Sequence, residues 1–309
     1  MVLGELGVLP HLVELPARGV GADMIGRTAA LLVDIAVEVS PSGYRVVPRA
    51  GRDHRRARDL LRHDLDALDE AWERSGVTPA AIKVQVTGPW TMAAAIELRN
   101  GHRALTDAGA VAEFTASLAE GLALHAADVQ RRLGVPVVVQ LDEPSLPGVL
   151  AGVLPSVSGL STIAAVPAPD AEAALRLVLA RAPGATVVHC CAADVPMGLL
   201  RAAGAGAIGI DLALIGPGDL DGVGEALQDG ATLALGMVPA GERSQTLHEL
   251  AEPALRLVDR LGFGRDVLAS QVIVTPSCGL AGADPAQAQR ALAQCVELGR
   301  AFVEPPESW

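Results

Sequence analysis

Short apolar runs alternate with helix-patterned segments from about residue 50 onward, and this alternation constrains the fold more than any other feature of the chain. Residues 52–75 place Leu60, Leu61, Leu65 and Leu68 at helical spacing between charged residues. Residues 82–88 form a strand that ends in a Gly-Pro turn. A long helix over 107–133 closes at Gly134, and 136–142 is the next strand. Further helices are predicted near 169–182, 196–203, 219–228, 244–262 and 284–302. The strands between them run up to His189, to Asp211, over 231–235, and from Gln271 toward Cys278. Such alternation implies parallel βαβ units, and runs that are apolar almost throughout suit a sheet covered on both faces.

A single-domain TIM-type (β/α)₈ barrel over residues 1–309 fits this pattern best, because polar residues cluster just past the strand ends, where barrel active sites lie. A doubly wound open sheet is the alternative, but no G-x-G-x-x-G follows a first strand. The first barrel strand is not evident. Residues 1–23 read as a helix tail followed by an extended Leu12-Val-Glu-Leu-Pro16 segment, so either the barrel is incomplete or the chain lacks an N-terminal piece.

Composition narrows the function. Half of the chain is hydrophobic and only 2% aromatic, so Leu, Val and Ala must fill the core. A net charge of −12 argues against nucleic acid as a partner, since phosphate binding needs clustered cations. Arginine supplies nearly all of the positive charge, and Lys83 is the only lysine. No run reaches the roughly 18 apolar residues of a membrane helix. The N-terminus has no basic segment before its apolar residues and does not read as a signal peptide. Four cysteines (Cys190, Cys191, Cys278, Cys295) without a secretion signal are expected to be reduced, which favours metal binding or catalysis in a cytoplasmic protein.

Three strand ends carry potential metal ligands: His189-Cys190-Cys191, Asp211 and Cys278. Side chains alternate along a strand, so His189 and Cys191 can face the same way while Cys190 faces the opposite side and packs. Nitrogen, two sulfurs and a carboxylate suit zinc. Their origin on distant strands fits a catalytic site better than a structural one, which would show close pairs such as C-x-x-C. Singly, each residue has a plainer reading: a cysteine in a core strand is ordinary, and Asp211 could cap a turn.

Asp142 and Glu143 are adjacent acids at the end of a buried strand, a costly placement unless something pairs with them. They should diverge, leaving one to face the barrel mouth, where an amino group of a substrate would pair with it; alternatively they cap the next helix. Trp90, in Thr87-Gly88-Pro89-Trp90-Thr91, is either a stacking platform for a flat ligand or a lid over the core.

Thr87-Gly88-Pro89, Asp142-Glu143-Pro144, His189-x-Cys191 and Pro276-Ser-Cys278-Gly279-Leu280 occur in this order. With them the chain, over most of residues 10–305, resembles the catalytic C-terminal barrel of the cobalamin-independent methionine synthase family, within the superfamily that includes uroporphyrinogen decarboxylase. The resemblance implies zinc held by His189, Cys191, Asp211 and Cys278, with Asp211 standing where the family has Glu. It implies that Asp142 contacts the amino group of homocysteine, whose sulfur loses its proton on zinc and attacks an electrophilic methyl group. The chain departs from the family in several ways. On this reading 309 residues leave no room for the family's second barrel, no serine-bearing first-strand loop is expected, and Pro16-Ala-Arg18-Gly19 stands where the family has a His-Gly-Glu segment. The family's catalytic His, the proton donor to the folate leaving group, is missing from residues 236–243. The expected activity is therefore a zinc-dependent homocysteine methyltransferase resembling the short, single-barrel members. Its donor is methylcobalamin, free or on a corrinoid protein, or methyltetrahydrofolate. The alternatives are a degenerate relative that binds zinc or a thiol without turnover, and decarboxylase-like chemistry, which would leave the zinc-type ligands without a role.

Overall fold

Strand alternation sorts the central sheet into two unlike faces, and that division places the site. The computed structural model describes residues 1–240 and 245–306. The strands are β1 (Ala36–Ser40), β2 (Gly43–Val47), β3 (Ile82–Thr87), β4 (Ile96–Glu97), β5 (Val137–Asp142), β6 (Thr186–Cys190), β7 (Ala207–Asp211), β8 (Thr232–Val238) and β9 (Val272–Pro276). The helices are α1 (Val2–Glu5), α2 (Met24–Ala29), α3 (Arg52–Ser75), α4 (Pro89–Ala95), α5 (Ala108–Leu133), α6 (Leu146–Ala151), α7 (Ala168–Leu179), α8 (Met197–Ala202), α9 (Leu220–Gln228), α10 (Leu247–Leu261), α11 (Asp266–Gln271) and α12 (Pro285–Val303).

The order β3-β5-β6-β7-β8-β9 makes one parallel sheet of six strands, each pair of neighbours joined through helices. This is an α/β fold with a curled parallel sheet, consistent with a TIM-like barrel, but among the described residues it has six strands rather than the expected eight. The expected absence of a first strand is corrected in one respect. Residues 10–12 lie parallel to β3, with Lys83 N donating to Pro10 O (2.8 Å) and Leu12 N to Lys83 O (2.9 Å). Beyond it Pro16 opens a short 3₁₀ turn over Pro16–Arg18.

The outward face of the sheet is apolar and covered by helices: Ile82, Val84, Leu141, Val188, Ile208 and Leu233 are all buried. The concave face carries Lys83, Gln85, Gln140, Asp142 and His189, all half-buried. Helix ends follow local chemistry. Asp107 caps α5 by accepting from Ala110 N, Thr246 and Glu249 form a capping box on α10, and α5 stops at Gly134 in the left-handed region.

A smaller sheet, β1-β2-β4, was not expected. Its antiparallel hairpin turns at Ser40–Gly43, and β4 adds in parallel to β2. The hairpin's alternation is present in Val37, Val39, Tyr44 and Val46, among polar residues, a glycine and a proline, and no element was predicted there. Among the described residues no helix is long and apolar enough to cross a membrane.

Candidate functional site

Register brings the expected residues to one end of the sheet. Asp142 pairs with His189 across β5 and β6, His189 with Gly209 across β6 and β7, and Asp211 with Gly236 across β7 and β8. All lie at the C-terminal ends of parallel strands, where α/β folds place their chemistry. Gly209 matters here: a Cβ would sit 3.2 Å from the His189 ring, so glycine leaves the imidazole its room.

His189 Nδ1 lies 2.9 Å from Asp142 Oδ1, and Gln140 Nε2 donates to the same oxygen at 2.7 Å. A carboxylate on Nδ1 fixes the ring and leaves Nε2 as the ligating nitrogen, the arrangement common behind metal-bound histidines. Asp142 therefore supports His189, a role that the sequence reading did not foresee. Cys191 Sγ lies 3.9 Å from Cys278 Sγ. Zn–S bonds of ~2.3 Å at a tetrahedral centre would hold two sulfurs about 3.8 Å apart. Burial, with Cys278 beside it, pushes the Cys191 thiol up to about 12, so without a cation this thiol stays protonated at neutral pH. Asp211 Oδ1 accepts from Ala213 N (2.9 Å), capping the turn after β7. Among the described residues no three His, Cys, Asp or Glu side chains converge closely enough to enclose a metal. The donor chemistry and the sulfur pair fit zinc, while His189 and Asp211 stand on neighbouring strand ends without closing the set.

Glu143 and Trp90, expected as substrate contacts, face away from the concave side. Glu143 is fully buried and accepts from Trp90 N (2.9 Å), Thr91 N (2.8 Å) and Thr91 Oγ1 (2.7 Å). It thus caps α4, the helix after β3, rather than the helix that follows it in sequence. A Cβ at Gly88 would run into this carboxylate, which is why the Gly-Pro turn has glycine. Burial pushes Glu143 up to about 7 despite these donors. Trp90 is 3% exposed, and its indole N–H donates to Ala171 O at 3.0 Å, so it seals the core between α4 and α7.

The sequence reading missed a polar group deeper in the concave face. Lys83 Nζ donates to Gln85 Oε1 (3.2 Å), and Gln85 Nε2 to Leu12 O (2.7 Å). Burial lowers the Lys83 pKa and raises that of Glu14, and the opposite charges facing them counter both shifts. Arg27 spans Glu14 (3.2 Å) and Asp64, and Arg18 grips Asp64 with two hydrogen bonds of 2.7 and 2.8 Å. A signal existed: Lys83 and Gln85 alternate with Ile82, Val84 and Val86, placing polar groups on one face of a buried strand. Of the segment that lacks the family's histidine, residues 241–244 lie outside the described residues.

Residues 4–301 match the family model described as "Cobalamin-independent synthase, Catalytic domain". A comparison with curated proteins gives no match. Among solved structures, the chain is similar to a B12-independent methionine synthase from Shewanella sp. W3-18-1 in complex with selenomethionine. The identity is 13%, the match covers 85% of this chain and 70% of that one, and the TM-score is 0.54, a likeness of fold. Cobalamin independence is at odds with the expected corrinoid donor and corrinoid protein partner, and both are set aside.

Proposed function

The chain belongs to the cobalamin-independent synthase family, a family of methyltransferases of the methionine synthase type, and from that premise we propose that it methylates homocysteine in a zinc-dependent reaction. The observation that supports this reading is the Cys191–Cys278 sulfur pair beside the Asp142–His189 pair, at the ends of parallel strands. His189, Cys191, Cys278 and Asp211 would hold the metal. Zinc would supply a lowered thiol pKa, against about 8.5 for a free thiol. Asp142 keeps the His189 ring in one orientation with its Nε2 toward the site. The free edge of Asp142 and the neighbouring Glu14 offer negative charge to the amino group of an amino-acid thiol. Methyltetrahydrofolate is the donor we favour, and the whole of 1–309 is taken as one catalytic barrel acting in the cytoplasm.

The test is zinc content and methyl transfer from methyltetrahydrofolate to homocysteine, wild type against Cys278→Ser. About one zinc per chain and methionine formation, both lost in the variant, are expected. Zinc without turnover would leave a degenerate relative, and no zinc after reconstitution would overturn the reading.

A further inference from the structure

The polar layer deeper in the concave face holds a cation that the zinc chemistry does not use. Lys83 is the only lysine among 24 lysine and arginine residues, and it stands half-buried on β3. Among the described residues its ammonium meets one acceptor, Gln85 Oε1 at 3.2 Å, and no carboxylate at ion-pair distance. An ammonium has three donors, so two stay open on this face. Burial lowers its pKa, and Asp142 and then Glu14 act against that shift, which puts both acids within electrostatic reach. Neither acid closes on it. Glu14 is held by Arg27 Nε (3.2 Å), and Asp142 turns Oδ1 to Gln140 and His189, leaving Oδ2 free among the described residues.

Strand register sets the spacing between the two charges. Gln85 pairs with Gln140 and Thr87 with Asp142, so Asp142 lies one side-chain layer nearer the mouth than Gln85, about 6.6 Å along a parallel strand. Lys83 starts one layer below Gln85 and reaches up to it. An open cation and an open carboxylate edge therefore face each other across a single layer. Two charge-assisted hydrogen bonds of about 2.8 Å, made by groups that share one carbon, span such a gap.

We propose, resting on the methyltransferase reading, that Lys83 binds the carboxylate of the amino-acid thiol while Asp142 and Glu14 take its ammonium group. Lys83 is then the residue that makes the site selective for an α-amino acid over a plain thiol or an aminothiol. Lysine suits this place: its point charge on a flexible stem can be shared between Gln85 Oε1 and an incoming carboxylate, where the rigid fork of arginine would need two acceptors in one plane. The free Oδ2 of Asp142 answers the ammonium group in the same way, so the pair of protein charges mirrors a zwitterion.

The experiment is calorimetric titration of the zinc-reconstituted full chain with homocysteine and, separately, with 3-aminopropanethiol, which is homocysteine without its carboxylate. The wild type is expected to bind homocysteine about tenfold or more tightly than the aminothiol, the worth of one charged hydrogen bond. Lys83→Met should lose that preference by weakening homocysteine binding alone, and Lys83→Arg, which keeps the charge, should retain much of it. A lysine that merely balanced the neighbouring acids would shift both affinities alike, and equal shifts in Lys83→Met overturn the assignment. The wild-type comparison decides even if Lys83→Met does not fold: equal affinity for the two thiols overturns the role of Lys83 and leaves the methyltransferase reading standing. Binding of neither thiol would remove both.

Discussion

Asp142 and Glu143 are neighbours in sequence, yet the two faces of the sheet give them opposite work. Asp142 points to the concave face, half-buried, and steadies His189. Glu143 points outward into the helical layer and holds the first turn of α4. Cys191 and Cys190 divide in the same way: one meets Cys278, and the other is fully buried on the outward side. On the outward face residues are chosen for packing, and a polar group survives there only when every lone pair is met. On the concave face polar groups keep one another company and retain free edges for a ligand.

This contrast can be broken by removing bulk from each face in turn. Leu141→Ala on the outward face should cost about 2–5 kcal/mol in denaturant unfolding, whereas Gln140→Ala beside it should cost about 0.5–1.5 kcal/mol. Equal losses would mean that the concave face is packed as tightly as the outer one.

The outward acid offers a second test, through pH. The Glu143 carboxyl holds its proton more tightly in the fold, at about 7 against 4.5. Its contribution to stability is therefore complete below about pH 4.5 and lost as the pH rises through 7, by about 3 kcal/mol in total at about 1.36 kcal/mol per unit. Subtracting the Glu143→Gln stability profile from that of the wild type should isolate this slope; parallel profiles would show that the three donors cancel burial.

A smaller effect is expected on the concave face. Asp142→Asn should weaken zinc binding by about 10–100-fold, measured by competition with a chelator, with little change in stability. Undiminished zinc affinity would remove Asp142 from behind the metal and return it to the substrate.

The repeating part of the fold was legible because period-2 and helical patterns are local. The helices over Arg52–Ser75 and Pro285–Val303 and the strands ending at Asp142, His189 and Asp211 fall within a few residues of their sequence-based bounds. The β1-β2 hairpin was not predicted: its two five-residue strands mix apolar residues with Glu38, Ser40 and Arg45 around a Pro-Ser-Gly turn, too short a pattern to stand out. Of the site, the strand-end residues were readable because alternation fixes which side chains share a face. Trp90 was not: whether an aromatic beside a Gly-Pro turn meets solvent or core depends on α7, which arrives some eighty residues later.

Sequence by itself thus determined the α/β class, the family motifs and which residues stand at strand ends, because each follows from spacing along a few neighbouring residues. Only the tertiary structure decided that Asp142 serves His189, that Glu143 caps α4, and that Cys191 meets Cys278 across 87 positions. Those outcomes hang on register between strands and on which helix covers which face, and long-range packing sets both.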